Sequence, residues 1–163
     1  MTADVTIAGA GLAGAIAALV LSLDRRVVVL EAEAPAAGAS AAAAGIVNPF
    51  MGRKAKPAWR HRDALEALDR LVEEAGAPSL LHRSGVLRPA LDSRQSVMFE
   101  ERAAEHPNEL EWIRASAARE RWPFVEAPFG LLHVRRGGHV EIPRLVEAAL
   151  DVGRERGAAV MPG

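Results

Sequence analysis

Apolar and polar positions at the start of the chain follow two different periods. Val5 and Ile7 belong to a short strand-like run, residues 10–23 form an apolar stretch with a helical face, and residues 27–31 form a second strand-like run that ends in an acid. This order predicts a strand, a helix and a parallel strand. The apolar stretch lacks a basic lead-in and is too short to span a bilayer, so it predicts a buried helix and not a signal peptide.

The remaining pattern alternates between helical and strand-like segments. It predicts helices over residues 57–76, 94–106, 109–121 and 143–156, and strands over residues 85–89, 130–134, 139–142 and 158–161. Residues 135–138 (RRGG) predict a hairpin turn between two of these strands, because glycine adopts positive φ readily. The last helix and strand are expected to return the chain to the parallel sheet.

These elements predict an α/β fold with a discontinuous Rossmann-like layer. Residues 1–49 and 143–163 are expected to form this layer, a parallel sheet covered by helices. Residues 50–142 are expected to form the beginning of an inserted α+β lobe.

The amino-acid composition of the chain excludes several classes of function. The chain has 163 residues, half of them hydrophobic, with a net charge of −1 and no cysteine. The even charge balance gives no reason to expect a nucleic-acid partner. The absence of cysteine excludes disulfides and thiolate catalysis, and the five histidines lack the spacing of a helical metal site, so no metal is expected. No segment suggests a membrane span, and a cytoplasmic location is the default expectation.

Three glycines between the first strand and the first helix carry the strongest chemical signal. Gly9 permits a tight turn, Gly11 allows bare backbone to approach a diphosphate, and Gly14 allows the helix to pack closely on the sheet. The helix N-terminus attracts negative charge. Glu31 lies seventeen residues after Gly14, where its carboxylate can accept the hydroxyls of an adenosine ribose and would repel a 2′-phosphate. The motif predicts a dinucleotide site that does not favour NADP.

Four segments of the chain resemble the D-amino-acid oxidase-like family of FAD-dependent oxidoreductases. They are GAGLAG with Glu31, the small-residue segment ASAAAAGIVNPF from Ala39 to Phe50, SGVLRPA from Ser84, and GGHVEIPRLVEAAL followed by GAAV. The first motif is common to many dinucleotide-binding proteins. The order of all four is much more specific to this family, and it covers most of the chain.

The resemblance implies FAD as the cofactor and a set of residues that contact it. The adenosine and diphosphate contacts are implied for residues 9–14 and for the end of the second strand, namely Gly9, Ala10, Gly11, Leu12, Ala13, Gly14, Glu31 and Ala32. Ala39, Ser40 and Ala41 stand where the family often places hydroxyl side chains near the phosphates. Gly45 and Ile46 are implied to lie beside the isoalloxazine ring, and Asn48 to place an amide near it.

Several of these residues have simpler interpretations. Ser40 is also consistent with an ordinary loop serine, and Asn48 with a turn residue before Pro49. The basic residues Arg53, Lys54 and Lys56 are typical of a solvated loop, and a site that steers an anionic substrate is the alternative. Trp59 is expected to pack in the following helix, although the family resemblance also allows it to cover the flavin.

The resemblance implies oxidation of a C–N bond in a small amine or amino acid by hydride transfer to flavin. Members of the family are about twice as long as this chain, so we expect an N-terminal half that alone binds FAD poorly and is catalytically incompetent, and no catalytic residue is assigned. A second chain that supplies the other half is one possible partner. Two other functions stay open: a NAD-binding Rossmann module, and a non-catalytic partner subunit with an exposed apolar surface.

Overall fold

The computed structural model describes residues 2–162, and the chain forms two compact units. The first contains the residues up to Gly45, residues 66–82 and the residues from Val140 onward, and the second contains residues 46–65 and 83–139. The predicted division into residues 1–49 plus 143–163 and residues 50–142 stays a prediction, because compact contacts alone do not define a ligand-binding domain.

Eleven strands and five α-helices are present in the described residues. In chain order they are β1 (Val5–Ala8), α1 (Leu12–Leu21), β2 (Val27–Glu31), β3 (Ile46–Val47), β4 (Phe50–Met51), β5 (Lys56–Pro57), α2 (His61–Glu74), β6 (Leu81–His82), β7 (Val86–Pro89), α3 (Ser93–Glu105), β8 (Leu110–Ile113), α4 (Ala115–Arg121), β9 (Leu131–Val134), β10 (Gly138–Val140), α5 (Ile142–Glu155) and β11 (Ala159–Pro162). A short 3-10 helix covers Pro78–Leu80. None of the helices within residues 2–162 is long and apolar enough to cross a membrane.

The first unit is built on a parallel sheet with β2 at its centre. Val5 of β1 pairs with Val27, and Ala159 of β11 pairs with Val28. The order β1-β2-β11 shows that the last strand returns to the sheet formed by the first two. Parallel strands need a crossover connection, and α1 and α5 each immediately precede a strand of this sheet. The predicted α/β fold with a Rossmann-like parallel sheet is confirmed.

Helices α1 and α5 pack against each other in the first unit. The contact face of α1 is made of small and aliphatic residues, and α5 buries a leucine and valine face. The buried residues are Ala15, Ala18 and Leu19 of α1, and Leu145, Val146, Ala149 and Leu150 of α5. Burial of these side chains fixes α1, so the N-terminus of α1 stays close to the end of β1.

The second unit contains an antiparallel sheet in the order β7-β9-β8. Helix α3 contacts β8 and β9, and its Phe99 lies in a core with Leu110, Leu132 and Val134. Phe50 from β4 is fully buried in the same core. Because β4 is linked to β5 by a four-residue turn, this core also anchors residues 50–57.

Two predicted elements are wrong. Residues 109–121 were predicted as one helix, but Leu110–Ile113 form β8, which pairs with β9, and only Ala115–Arg121 are helical. Leu110 and Ile113 are three positions apart, a spacing that also suits a helix, and pairing in the sheet overrides it. The predicted hairpin does not form either, since β9 pairs with β7 and β8 while β10 pairs with β3.

Candidate cofactor site

The turn between β1 and α1 requires glycine at two positions. Gly9 has φ +93, a value that side chains disfavour, and its N–H donates to the carbonyl of Leu30 at 2.7 Å. A β-carbon added to Gly14 would lie 2.0 Å from the carbonyl oxygen of Gly9. Glycine at these two positions therefore allows the backbone of α1 to contact the end of β1 directly, as the motif predicts.

Glu31 reaches the same turn from the end of β2. One carboxylate oxygen, Oε2, accepts the N–H of Ala10 at 2.6 Å, and Oε1 accepts the N–H of Glu33 at 3.1 Å. The hydrogen bond from Ala10, followed by that from Glu33, lowers the pKa of Glu31 below its usual range. The side chain is therefore a fixed anion at neutral pH beside the glycine turn.

Ser40 lies over the N-terminus of α1. Its Oγ accepts the N–H of Leu12 at 2.9 Å, one of the donors that a helix leaves unpaired in its first turn. A β-carbon on Gly11 would lie 3.0 Å from the same Oγ. Ser40 therefore caps α1 from a distant loop, a structural role that neither interpretation of the sequence had assigned to it.

Ala36 is a residue at this site that the sequence did not single out. Its N–H donates to the carbonyl of Ala10 at 3.0 Å, and the residue is buried with φ +61. A non-glycine residue at positive φ is uncommon and marks a position that its surroundings constrain. An alanine in an alanine-rich loop carries no sequence signal that would have found it.

The other small residues of this loop differ in burial, since three alanines are exposed and Gly45 is closely packed. Ala32, Ala39 and Ala41 are exposed. Gly45 has φ +63, its carbonyl accepts the N–H of Val140 at 2.9 Å, and an added β-carbon would lie 2.0 Å from the carbonyl oxygen of Val140. Gly45 is therefore as strictly required to be glycine as Gly14, for a packing reason within the first unit.

Ile46 and Asn48 belong to the second unit. Ile46 is 67% exposed in β3 and pairs with His139 of β10. Asn48 Oδ1 accepts the N–H of Phe50 at 3.1 Å, which is the geometry of a side chain that stabilises a local turn. The turn interpretation of Asn48 is therefore confirmed, and its predicted placement near a flavin stays a prediction.

The first unit has the features of a dinucleotide-binding α/β fold. A glycine turn leads into a helix N-terminus, where N–H groups and the helix dipole favour a diphosphate. An ionised carboxylate at the end of the neighbouring strand can accept the two hydroxyls of a ribose. The close approach of Gly9 and Gly14 and the position of Glu31 fit the adenosine and diphosphate parts of FAD.

The chain belongs to the family described as FAD dependent oxidoreductase, abbreviated DAO, whose model matches residues 4–163. The family is FAD-dependent, which confirms the prediction of FAD over NAD as the cofactor. No protein among the curated sequences matches the chain.

Solved structures of two glycine oxidases and an iminodiacetate oxidase share this fold. Glycine oxidase from Geobacillus kaustophilus matches 98% of the chain with a TM-score of 0.83 and 23% identity. Glycine oxidase from Bacillus cereus matches 99% with a TM-score of 0.79 and 22% identity. Iminodiacetate oxidase from Chelativorans matches 96% with a TM-score of 0.76 and 25% identity. The chain covers 46% of the length of each of these three proteins.

Proposed function

We propose that this chain binds the ADP part of FAD and forms part of a flavoenzyme that oxidises a C–N bond of a small amine or amino acid. The single observation that carries the proposal is the contact between the Glu31 carboxylate and the Ala10 N–H at 2.6 Å. It places a fixed anion beside the glycine turn in a chain of the FAD-dependent family.

We assign the diphosphate, the adenosine ribose and the isoalloxazine ring of FAD to different groups of residues. The backbone of Gly9, Ala10, Gly11, Leu12, Ala13 and Gly14 would hold the diphosphate, and Glu31, with Ala32 beside it, would hold the adenosine ribose. The Ser40 hydroxyl, flanked by Ala39 and Ala41, would face the phosphates from the loop. We further propose that Gly45, Ile46 and Asn48 lie along the isoalloxazine ring.

FAD, when bound, supplies the ring that accepts the hydride. The protein's task in such chemistry is to orient the substrate and to exclude competing reactions, and it needs few acid or base side chains. Two structural relatives are glycine oxidases and one is an iminodiacetate oxidase, which supports a small amine or amino acid as the substrate class. Their additional length suggests that another polypeptide segment completes the substrate site.

The test is a titration of the purified chain with FAD, followed by flavin fluorescence, with ADP and NAD as competitors. We expect FAD to bind weakly to the isolated chain, and ADP to compete for the same site more effectively than NAD. Glu31→Gln keeps the acceptor for Ala10 but loses the charge, so FAD affinity should fall by about tenfold or more. Glu33→Gln, an exposed acid two residues away, is the matched control and should change affinity less than about twofold.

Two results would contradict the proposal. One is a chain that binds neither FAD nor ADP, as a purely structural subunit would. The other is equal FAD affinity in the Glu31→Gln and Glu33→Gln variants, since the carboxylate would then take no part in binding. The proposed reaction needs a separate test, because the chain alone is expected to be inactive. We expect glycine or another small amine to bleach the flavin absorption band, in the absence of oxygen, only when the chain is joined to the segment that completes the substrate site.

A further inference from the structure

The turn between β4 and β5 is held in an uncommon backbone conformation. It consists of Gly52, Arg53, Lys54 and Ala55, and Gly52 has φ +65. Ala55 has φ +47 although it is not glycine, and its side chain is fully buried. Residues kept in sparsely populated conformations persist only where their surroundings enforce them, and they often occur at functional sites.

Two side chains from other elements enforce this conformation. Arg88 of β7 donates to the carbonyls of Phe50, at 2.6 Å, and Gly52, at 2.5 Å. Gln95 of α3, which is buried, donates from Nε2 to the carbonyl of Arg53 at 2.7 Å. These three hydrogen bonds hold the backbone of the turn in place. The side chains of Arg53 and Lys54 therefore project from a backbone that is anchored at several points.

A basic groove lies beside this turn. We define it by its lining residues Arg53, Lys54, Arg94 and Met98, which enclose a volume of about 300 Å³. Arg53 is paired with Asp92 at 2.6 Å. Among the described residues, the side chains of Lys54 and Arg94 make no hydrogen bond or ion pair, so two positive charges of the groove have no direct partner. Lys54 also lines a neighbouring cavity with Glu101 and Glu105.

We propose that the basic groove binds a doubly charged small anion, with one oxyanion on the Lys54 ammonium and the other on the Arg94 guanidinium. Arg94 lies in the first turn of α3, and a guanidinium binds carboxylate or phosphate oxygens through two parallel N–H donors. A cleft lined by charges of one sign concentrates ligands of the opposite sign. Lys56, the third residue of the predicted basic cluster, does not line this groove. This inference does not depend on the proposed FAD site.

The experiment uses two probes, inorganic pyrophosphate and succinate, added to the isotopically labelled chain and followed by amide chemical shifts. We expect saturable shifts at residues 53–54 and 94–98 at low ionic strength, weakened by added salt. Binding of pyrophosphate alone would identify phosphate as the preferred group, and binding of both would identify any dianion. Lys54→Gln combined with Arg94→Gln should weaken the apparent affinity at least about tenfold.

The control is Arg114→Gln combined with Arg119→Gln, which also removes two positive charges, but from exposed positions elsewhere in the same unit. It should change probe affinity less than about twofold. Equal weakening in both double variants, or no saturable shift with either probe, would overturn the proposal. Shifts confined to residues 9–14 would also overturn it, because the anion would then occupy the glycine turn. FAD binding by the Lys54→Gln, Arg94→Gln variant should be unchanged, which separates this test from that of the cofactor site.

Discussion

Gly14 and Gly9 touch backbone to backbone, with so little space that a β-carbon on Gly14 would lie 2.0 Å from the Gly9 carbonyl oxygen. A real β-carbon essentially never approaches an oxygen that closely, and the atom it would meet is backbone, which cannot rotate away. The contact fixes the distance between β1 and the first turn of α1. It therefore ties the stability of the first unit to the geometry of the proposed diphosphate site.

Gly14→Ala should therefore destabilise the chain and reduce FAD binding together. We expect a loss of about 1–3 kcal/mol in the free energy of unfolding, as for other overpacked sites, measured by urea denaturation. Gly38→Ala is the matched control, because Gly38 is exposed and an added β-carbon there would meet nothing within 4 Å. Equal stability of the two variants would show that the backbone relaxes around the new methyl group.

Ser40→Ala removes the hydroxyl that accepts the Leu12 N–H. Loss of a capping acceptor costs about 0.5–2 kcal/mol, so the free energy of unfolding should fall by that amount in thermal or urea melts. Ser116→Ala serves as the control, since Ser116 is exposed in α4 and alanine is the better helix former. If both variants were as stable as the parent chain, water would be replacing the serine at the helix end.

The parts of the fold that local sequence determines were predictable. Gly9, Gly14 and Glu31 follow one another at a spacing that favours a strand, turn, helix and strand, so the parallel layer followed from the sequence. FAD as the cofactor followed from the resemblance of all four segments to the family and not from this spacing. The helix prediction for residues 110–113 was wrong because their apolar spacing fits a helix as well as a strand. Only the pairing with β9, a contact distant in sequence, decides between the two.

The contacts that complete the site were less predictable. Ser40 and Ala36 lie in an alanine-rich loop without periodicity, so nothing in the sequence indicates that their contacts are with Leu12 and Ala10. The support for the β4–β5 turn comes from Arg88 and Gln95, more than thirty residues further along the chain. Such side-chain to backbone contacts depend on the finished tertiary structure.

Gln95 should be more important for stability than its polarity suggests. It is 3% exposed, its Oε1 accepts the N–H of Leu91 at 2.9 Å, and its Nε2 donates to Arg53. Gln95→Leu removes both hydrogen bonds, and because Leu91 and Arg53 are exposed residues, the free energy of unfolding should fall by about 0.5–1.5 kcal/mol for each bond. Hydrogen exchange at Leu91 should accelerate as well. Val97→Leu, at an exposed position of the same helix, should alter neither quantity.

Glu109 is a buried carboxylate at the centre of an ionic cluster in the second unit. The residue is 8% exposed. It accepts from Arg62 at 2.9 Å, lies 2.8 Å from the His61 Nε2, and has the His106 Nδ1 at 3.6 Å. The rings of both histidines also contact Phe50. The hydrogen bond from Arg62, followed by that from His61, lowers the pKa of Glu109 below its usual range despite the opposing effect of burial.

Because the folded chain lowers this pKa, ionised Glu109 stabilises the fold above the ordinary glutamate pKa of 4.5, and this contribution is lost as the pH falls through the lower folded value. Glu109→Gln should therefore lower the free energy of unfolding by about 1.5–3 kcal/mol at pH 7, and the difference from the parent chain should shrink progressively below pH 4.5. Urea denaturation across this pH range measures it. Glu100→Gln removes one charge from an exposed position of α3 and should leave the profile unchanged. A difference between the Glu109→Gln variant and the parent chain that stays constant at acid pH would show that the lost interaction is steric and not ionic.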